Sequence, residues 1–284
     1  MRRMDISIRT MGRADVDFAI DLAAAEGWNP GPHDAGAFHA ADPQGFLVAE
    51  RDARPVGCIS AVSYAGRFGF IGLYIVRPEC RGQGIGRRLW DAGLARLAGQ
   101  VVGLDGVPAQ QDFYSRSGFE LAWQNVRFAG TAQRGAGAGR PGIVPLGSVD
   151  FAALCADDRR VFPAPREDFL RAWIALPDAT GLAYLDGGRL AGWGLIRRCG
   201  QGHKIGPLNA ESPDVAESLF AVLCASVPEG EAVFLDVPLP NEQAQALARS
   251  HGMQPVFNTA RMYLGLAPAL ELRRVYGVAS FELG

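Results

Sequence analysis

The chain has 284 residues with a formal net charge of −2 and a sequence pI of about 6.1. With 48% hydrophobic and 20% charged residues it reads as globular rather than disordered. It has no basic footprint for a nucleic-acid backbone. Five cysteines, an odd number without a C-x-x-C pair, argue against a disulfide framework or a zinc site. The opening residues carry arginines but no apolar run of signal length, and no later stretch reaches membrane-span length, so a cytoplasmic protein with no membrane partner is expected.

In chain order, "ISIRTM" (6–11) alternates as a short strand and "GRADVDFAIDLAAAEGW" (12–28) reads as a helix. "GFLVAERDARPVGCISAVSY" (45–64) reads as a hairpin around a polar, proline-containing turn. "RFGFIGLYIV" (67–76) is apolar on both faces, as a strand buried on both sides should be. A helix is expected over 84–98, with Leu89, Trp90, Gly93, Leu94 and Leu97 on one stripe. "VVGLDGV" is a strand, "AQQDFYSRSG" a short helix ended by Gly118, and "FELAWQNVRF" a last strand.

"GTAQRGAGAGRPG" (130–142) has five glycines in thirteen residues and no apolar period, the composition of a linker. Beyond it the order repeats: strand "IVPL", helices "SVDFAALCADD" and "PREDFLRAWIAL", hairpin 181–198, strand "HKIGPLNA", helix "DVAESLFAVLCASV", strand "AVFLDVP" and helix "NEQAQALARSHG". "MQPVFNTARMY" and "VYGVASFEL" close as strands. Two copies of one α/β unit, 1–129 and 143–284 about a 130–142 linker, is the economical reading. The first copy shows one clear strand after its late helix, so a strand shared between the halves is expected.

The densest chemical signal is "VRPECRGQGIGRRLW" (76–90), where glycines crowd the handover from strand to helix. Such a turn lets successive N–H groups converge on one anion, and the following helix adds the positive end of its dipole. It lacks the G-K-[ST] of a P-loop and the spacing of a dinucleotide fingerprint. Arg81, Gly84 and Gly86 match the R/Q-x-x-G-x-G/A loop of the GCN5-related N-acetyltransferase (GNAT) superfamily, which the chain resembles also in its "LYIVRPECRG" lead-in and its "FYSRSGF".

The resemblance implies two tandem GNAT-like domains, each a mixed, mostly antiparallel sheet flanked by helices. It implies acetyl-CoA as co-substrate, its diphosphate on Arg81, Gly82, Gln83, Gly84, Ile85, Gly86 and Arg87 and its pantetheine arm along Tyr74, Ile75 and Val76. A backbone N–H near Val76 would face the oxyanion, and Tyr114 would protonate the departing sulfur. Val107 stands where the family often has asparagine. Candidate bases are Glu26, Asp105 and His33; Trp28, Asn29 and His33 lie in the Pro- and Gly-rich segment where the family builds its acceptor pocket.

In the second copy Glu211 falls at Arg81, Asp214 at Gly84, where it would cap the helix, and Ala248 at Tyr114, while Asn241 takes the asparagine place. That half is expected to be degenerate. The expected reaction moves an acetyl group to a primary amine, a small molecule being favoured, with no metal. The alternatives are a non-catalytic acyl-CoA sensor or an interaction protein. The chain is expected as a monomer with an internal pseudo-dimer, or as a homodimer.

Overall fold

The computed structural model describes residues 6–133 and 141–284. Most of the expected linker, 134–140, lies outside the described residues. The first half runs β1 (Ile6–Thr10), α1 (Arg13–Ala25), α2 (Asp34–Ala41), β2 (Phe46–Arg51), β3 (Arg54–Tyr64), β4 (Phe68–Val76), α3 (Ile85–Arg96), β5 (Val101–Gly106), α4 (Gln111–Arg116) and β6 (Glu120–Thr131). The second repeats this as β7 (Ile143–Pro145), α5 (Phe151–Asp158), α6 (Glu167–Ile174), β8 (Ala179–Asp186), β9 (Arg189–Arg198), β10 (His203–Ala210), α7 (Pro213–Ala225), β11 (Ala232–Pro238), α8 (Glu242–Ser250) and β12 (Gln254–Leu264). It adds a short β13 (Val275–Gly277). The strand expected over 275–283 is limited to those three residues.

The strands form one sheet in the order β1-β2-β3-β4-β5-β12-β6-β11-β10-β9-β8-β7, with β13 beside β10. Each half gives the strand after its late helix to the other: β12 pairs with β5, and β6 with β11. The shared strand foreseen at the seam is therefore a reciprocal exchange. Around the central β6–β12 pair, Asn125 faces Thr259, Arg127 faces Phe257 and Trp123 faces Arg261. That register is symmetric about Asn125 and Thr259, a pseudo-two-fold axis through the sheet.

Two buried ion pairs lie on either side of that axis. Arg261 of β12 grips Asp105 of β5 with bonds of 2.8 and 2.6 Å, and Arg127 of β6 grips Asp236 of β11 with 2.6 and 2.8 Å. Each pair joins one half to the other, and both carboxylate side chains are fully buried. Burial pushes the Asp105 carboxyl above its ordinary range against the pull of Arg261. For Asp236 burial is outweighed by Arg127, with Lys204 and Arg197 adding positive charge, and its carboxyl sits below that range.

Helices cover both faces. In α3 the apolar stripe buries Ile85, Leu89, Trp90 and Gly93 against β3 and β4; Gly93 lets the helix approach the Ile59 side chain, which a Cβ would meet at 3.1 Å. In α1, Val16, Ala19, Ile20, Leu22 and Ala23 make the inward face. Among the described residues no helix is long and apolar enough to cross a membrane.

Candidate active site

Among the described residues parallel pairing is confined to β4 with β5 and β10 with β11. The β4–β5 ladder runs from Phe68↔Val101 to Ile71↔Leu104 and stops. There β4 carries a register shift against β3, and Leu73 adopts φ 45°, a left-handed conformation uncommon for a leucine. The Cys58 thiol donates to the Leu73 carbonyl at 3.1 Å and braces the bulge. Beyond it, among the described residues, no strand pairs with the β4 edge from Gly72 to Val76 on the β5 side, and a cavity of about 340 Å³ opens in the gap.

The glycine loop forms the outer end of this cavity. Gly82 and Gly84 have φ of 73° and 79° and nothing within 4 Å of a notional Cβ, so their backbone conformation is what calls for glycine. Gly86 is glycine for space: a Cβ there would lie 2.8 Å from the Tyr74 hydroxyl. Gly84 is the N-cap of α3 and supplies no side-chain acceptor for the first-turn amides, which have no intrahelical partner in any helix. The loop thus holds a set of free donors at the positive end of a 12-residue helix.

Of the residues foreseen for the diphosphate, Arg81, Gly82 and Gly86 line the cavity, with Tyr74, Ile75 and Val76 along its strand edge. The Gln83 side chain bonds Arg51 and the Glu79 carbonyl, Ile85 is buried in the core, and Arg87 pairs with Asp91 four residues on. Arg81 folds back, its Nε donating to the Val76 carbonyl at 2.8 Å and its Nη2 pairing with Glu26 across the mouth.

At the inner end stands Tyr114, against Trp90 with ring centroids 5.4 Å apart; Gly106 makes room for it, since a Cβ there would meet its ring at 2.4 Å. Burial pushes its hydroxyl above the ordinary tyrosine value, with neighbouring Tyr74 adding to the rise, so it is protonated at neutral pH.

Trp28 and Glu26 of the α1–α2 segment line the cavity. Asn29 and His33, foreseen as acceptor contacts, do not. Asn29 faces the β9–β10 turn, bonding the Gln201 carbonyl and amide, and His33 is half-exposed, 3.8 Å from Asp178. Asp105 borders the cavity, yet Arg261 takes both of its oxygens and Asn125 donates a third bond at 2.8 Å. Its geometry is that of an anchor between the halves rather than of a free base.

Part of the wall comes from distant residues with no signal in the sequence. Phe257 and Thr259 arrive on the exchanged β12, Arg127 on β6, and Phe281 and Glu282 on the segment after β13. Gly72 is the seat of that segment; a Cβ there would lie 2.0 Å from the Glu282 carbonyl oxygen. Among the described residues no group of three or more His, Cys, Asp or Glu is arranged to hold a metal ion.

The second half's counterpart of this gap is filled. The β10–β11 ladder stops at Ile205↔Leu235, and β13 then pairs with β10 at Leu208↔Gly277 and Asn209↔Val275. Asn241, besides accepting from the Ala244 amide as N-cap of α8, donates to the carbonyls of Arg273 and Val275, both at 3.0 Å. What remains is a hollow of about 30 Å³ lined by Arg261, Trp123, Pro207 and Gly277 among others. Ser212, rather than Asp214 as foreseen, caps α7 through the Val215 amide, because the chain passes from β10 into the helix without an open loop. Glu211, at the place of Arg81, is held by Arg189 at 2.6 and 2.7 Å and by Arg274 at 3.3 Å.

Comparison with known proteins agrees with this duplicated plan. Residues 15–119 match the model of the acetyltransferase (GNAT) family, and residues 154–277 match that of an acetyltransferase (GNAT) domain. Over 264 residues the chain is 30% identical to holothin acyltransferase of Pseudoalteromonas sp. (strain SANK 73390), covering 93% of this chain and 90% of that one. A solved structure from Pyrococcus horikoshii superposes with a TM-score of 0.82 at 22% identity, covering 98% of this chain and 96% of that one. A tandem GNAT protein from the clavulanic acid biosynthesis pathway superposes with a TM-score of 0.64 at 15% identity, over 93% of this chain and all of that one.

Proposed function

Because the chain belongs to the GNAT family and is an acetyl-CoA-dependent acyltransferase of that type, we propose that its first half alone carries the reaction, moving an acetyl group to a small primary amine by direct attack. The observation that carries this reading is the continuity of one cavity from the glycine loop, along the open β4 edge, to Tyr114.

The amides of residues 82–87 take the diphosphate, with the α3 dipole adding roughly 0.3–1 kcal/mol. The backbone of Tyr74 to Val76 takes the amide-bearing arm as an added strand, once Arg81 gives up the Val76 carbonyl. An N–H of this stretch near Val76 meets the oxyanion, and the Tyr114 hydroxyl passes its proton to the leaving sulfur, a role its raised pKa suits. Holding both reactants in one hollow converts an encounter into an effectively intramolecular step. The filled gap and the acidic Glu211 of the second half leave it a structural part: it supplies β12 and the far wall.

The similarity to an acyltransferase whose name specifies holothin, over nine-tenths of both chains, makes holothin an acceptor to assay beside simple amines. The test follows free thiol released from acetyl-CoA in the presence of holothin, phenethylamine, tryptamine and spermidine. Turnover that Tyr114→Phe lowers by about 10²-fold or more agrees with the proposal. Tight CoA binding without turnover of any amine counts against it, as does activity surviving loss of the glycine loop.

A further inference from the structure

Building on that acetyl-transfer reading, we infer that Glu282 is the catalytic base, delivered to the first half's cavity by the segment that fills the second half's vacated gap. Four carboxylates bear on the site. Glu26 is partly exposed and paired with the likewise accessible Arg81, Asp105 is committed to Arg261 and Asn125, and Asp236 to Arg127 behind the wall. Glu282 differs. It is only 5% exposed, lines the cavity, and among the described residues no salt bridge reaches it. Its recorded side-chain partner is the Ser280 hydroxyl, which donates to Oε2 at 2.6 Å.

The Ser280 bond fixes the direction of the side chain through Oε2 and leaves Oε1 for a substrate. The same serine oxygen accepts from the Glu282 amide at 3.0 Å, a small closed turn that sets the side-chain direction. Glu282 packs main chain against Gly72, the first β4 residue past the end of the β4–β5 ladder. The base therefore sits beside the point where the strands part, on the route between Tyr114 and the aromatic walls of Trp28, Phe257 and Phe281. The Arg127 guanidinium lies over the Phe257 and Phe281 rings and adds positive charge near Glu282, but it is paired with Asp236 and makes no salt bridge to Glu282. A carboxylate with aromatic walls suits an acceptor with an apolar body that arrives as an ammonium ion.

In the step itself Glu282 takes a proton from the ammonium, and the freed nitrogen pair attacks the thioester carbon. The C–N bond forms as the C–S bond breaks. Glu282 hands the ammonium proton on to solvent, and the sulfur leaves with the Tyr114 proton. The surplus proton of the acylated nitrogen passes through the again-ionised Glu282 and solvent to restore Tyr114, so that one proton is released per turnover. No oxidant or metal is needed for this balance.

The duplication explains how such a residue reached this place. In the second half β13 occupies the edge of β10, and Asn241 ties it there through backbone carbonyls. From that anchor residues 278–284 cross to the first half, where the Tyr64 hydroxyl donates to the Leu283 carbonyl at 3.0 Å, while Arg166 of the second half holds the Gly284 carbonyl at 2.7 Å. One gap, filled by the chain itself, aims a carboxylate into the other.

The experiment compares wild type, Glu282→Gln and Glu282→Asp in acetyl transfer to phenethylamine, tryptamine and spermidine, with CoA affinity measured by calorimetry on each protein. Glu282→Gln is expected to keep CoA affinity within about two-fold while kcat falls by about 10²–10⁴-fold, with Glu282→Asp in between and phenethylamine and tryptamine preferred to spermidine by the wild type. Glu282→Gln within about three-fold of wild-type kcat overturns the inference and leaves the acetyl-transfer reading standing. A parallel loss of CoA affinity also overturns it, by marking the residue as a support of the fold. A wild type that binds CoA and acetylates no amine overturns the reading and the inference together.

Discussion

Replacing Arg261 with methionine removes the cation that holds Asp105 across the exchanged β5–β12 edge. The Asp105 side chain is fully buried, and of its three recorded hydrogen bonds two come from Arg261 and one from Asn125. An abandoned buried carboxylate costs about 3–5 kcal/mol; at roughly 2–4 °C per kcal/mol for a chain approaching this size, the midpoint should fall by about 6–20 °C. Asp105→Asn in the same background takes away the stranded charge, and the double variant should regain most of the loss. Because each half is completed by a strand from the other, Trp90 of the first half and Trp173 and Trp193 of the second should report one shared unfolding transition. The assay is thermal and urea unfolding of the two single variants and the double, followed by fluorescence and far-ultraviolet dichroism. Losses below about 1 kcal/mol, strictly additive losses, or two separate transitions with only one shifted would refute the reasoning.

Further outcomes follow from the same geometry. Gly84→Ala places a side chain in a left-handed backbone at φ 79° with open space around it, so it should cost about 1–2 kcal/mol of stability and weaken CoA binding; calorimetry checks both, and wild-type affinity would contradict it. One CoA should bind per chain, since the second gap holds β13; a stoichiometry of two would show that β13 yields to the ligand. Asn241→Ala removes the α8 cap and the grip on Arg273 and Val275, and should lower stability by about 1–2 kcal/mol or more while sparing the glycine loop. Arg189 chiefly, with Arg274, holds the Glu211 carboxyl down at about 2. Its folded pKa is depressed, so its contribution is present above the ordinary value of about 4.5 and lost as pH falls from there through about 2. Glu211→Gln should flatten that acid-dependent part of the stability curve in acid titration.

The glycine loop, α3 and Tyr114 were legible in the sequence because their signals are local. A strand, a turn needing positive φ and an amphipathic helix follow one another within 30 residues, and each constrains its own backbone. The order of most elements in both halves was legible for the same reason; α2 (Asp34–Ala41) was not, because it is short and follows a segment rich in proline and glycine. What the sequence hid is what depends on distant partners. Arg127 and Asp236 are 109 residues apart, and Asp105 and Arg261 are 156 apart; neither pairing leaves a periodic mark. Glu282 reads as the end of an apolar run, yet the Gly72–Glu282 contact turns it into a cavity wall. Asn29 and His33 share a loop with Trp28, but sequence proximity in a turn does not fix side-chain direction, and the positive φ of Asn29 sends it to the Gln201 turn.

The central claim is that the backbone hook after β4 and the open edge beside it hold acyl-CoA in the first half. A crystal structure of the protein with coenzyme A tests this most directly. The expected result is a diphosphate within hydrogen-bond distance of the amides of residues 82–87, a pantetheine arm paired with Tyr74 to Val76, Arg81 turned away from the Val76 carbonyl, and the sulfur near the Tyr114 hydroxyl. Coenzyme A bound elsewhere, or seated in the second half in place of β13, would contradict it.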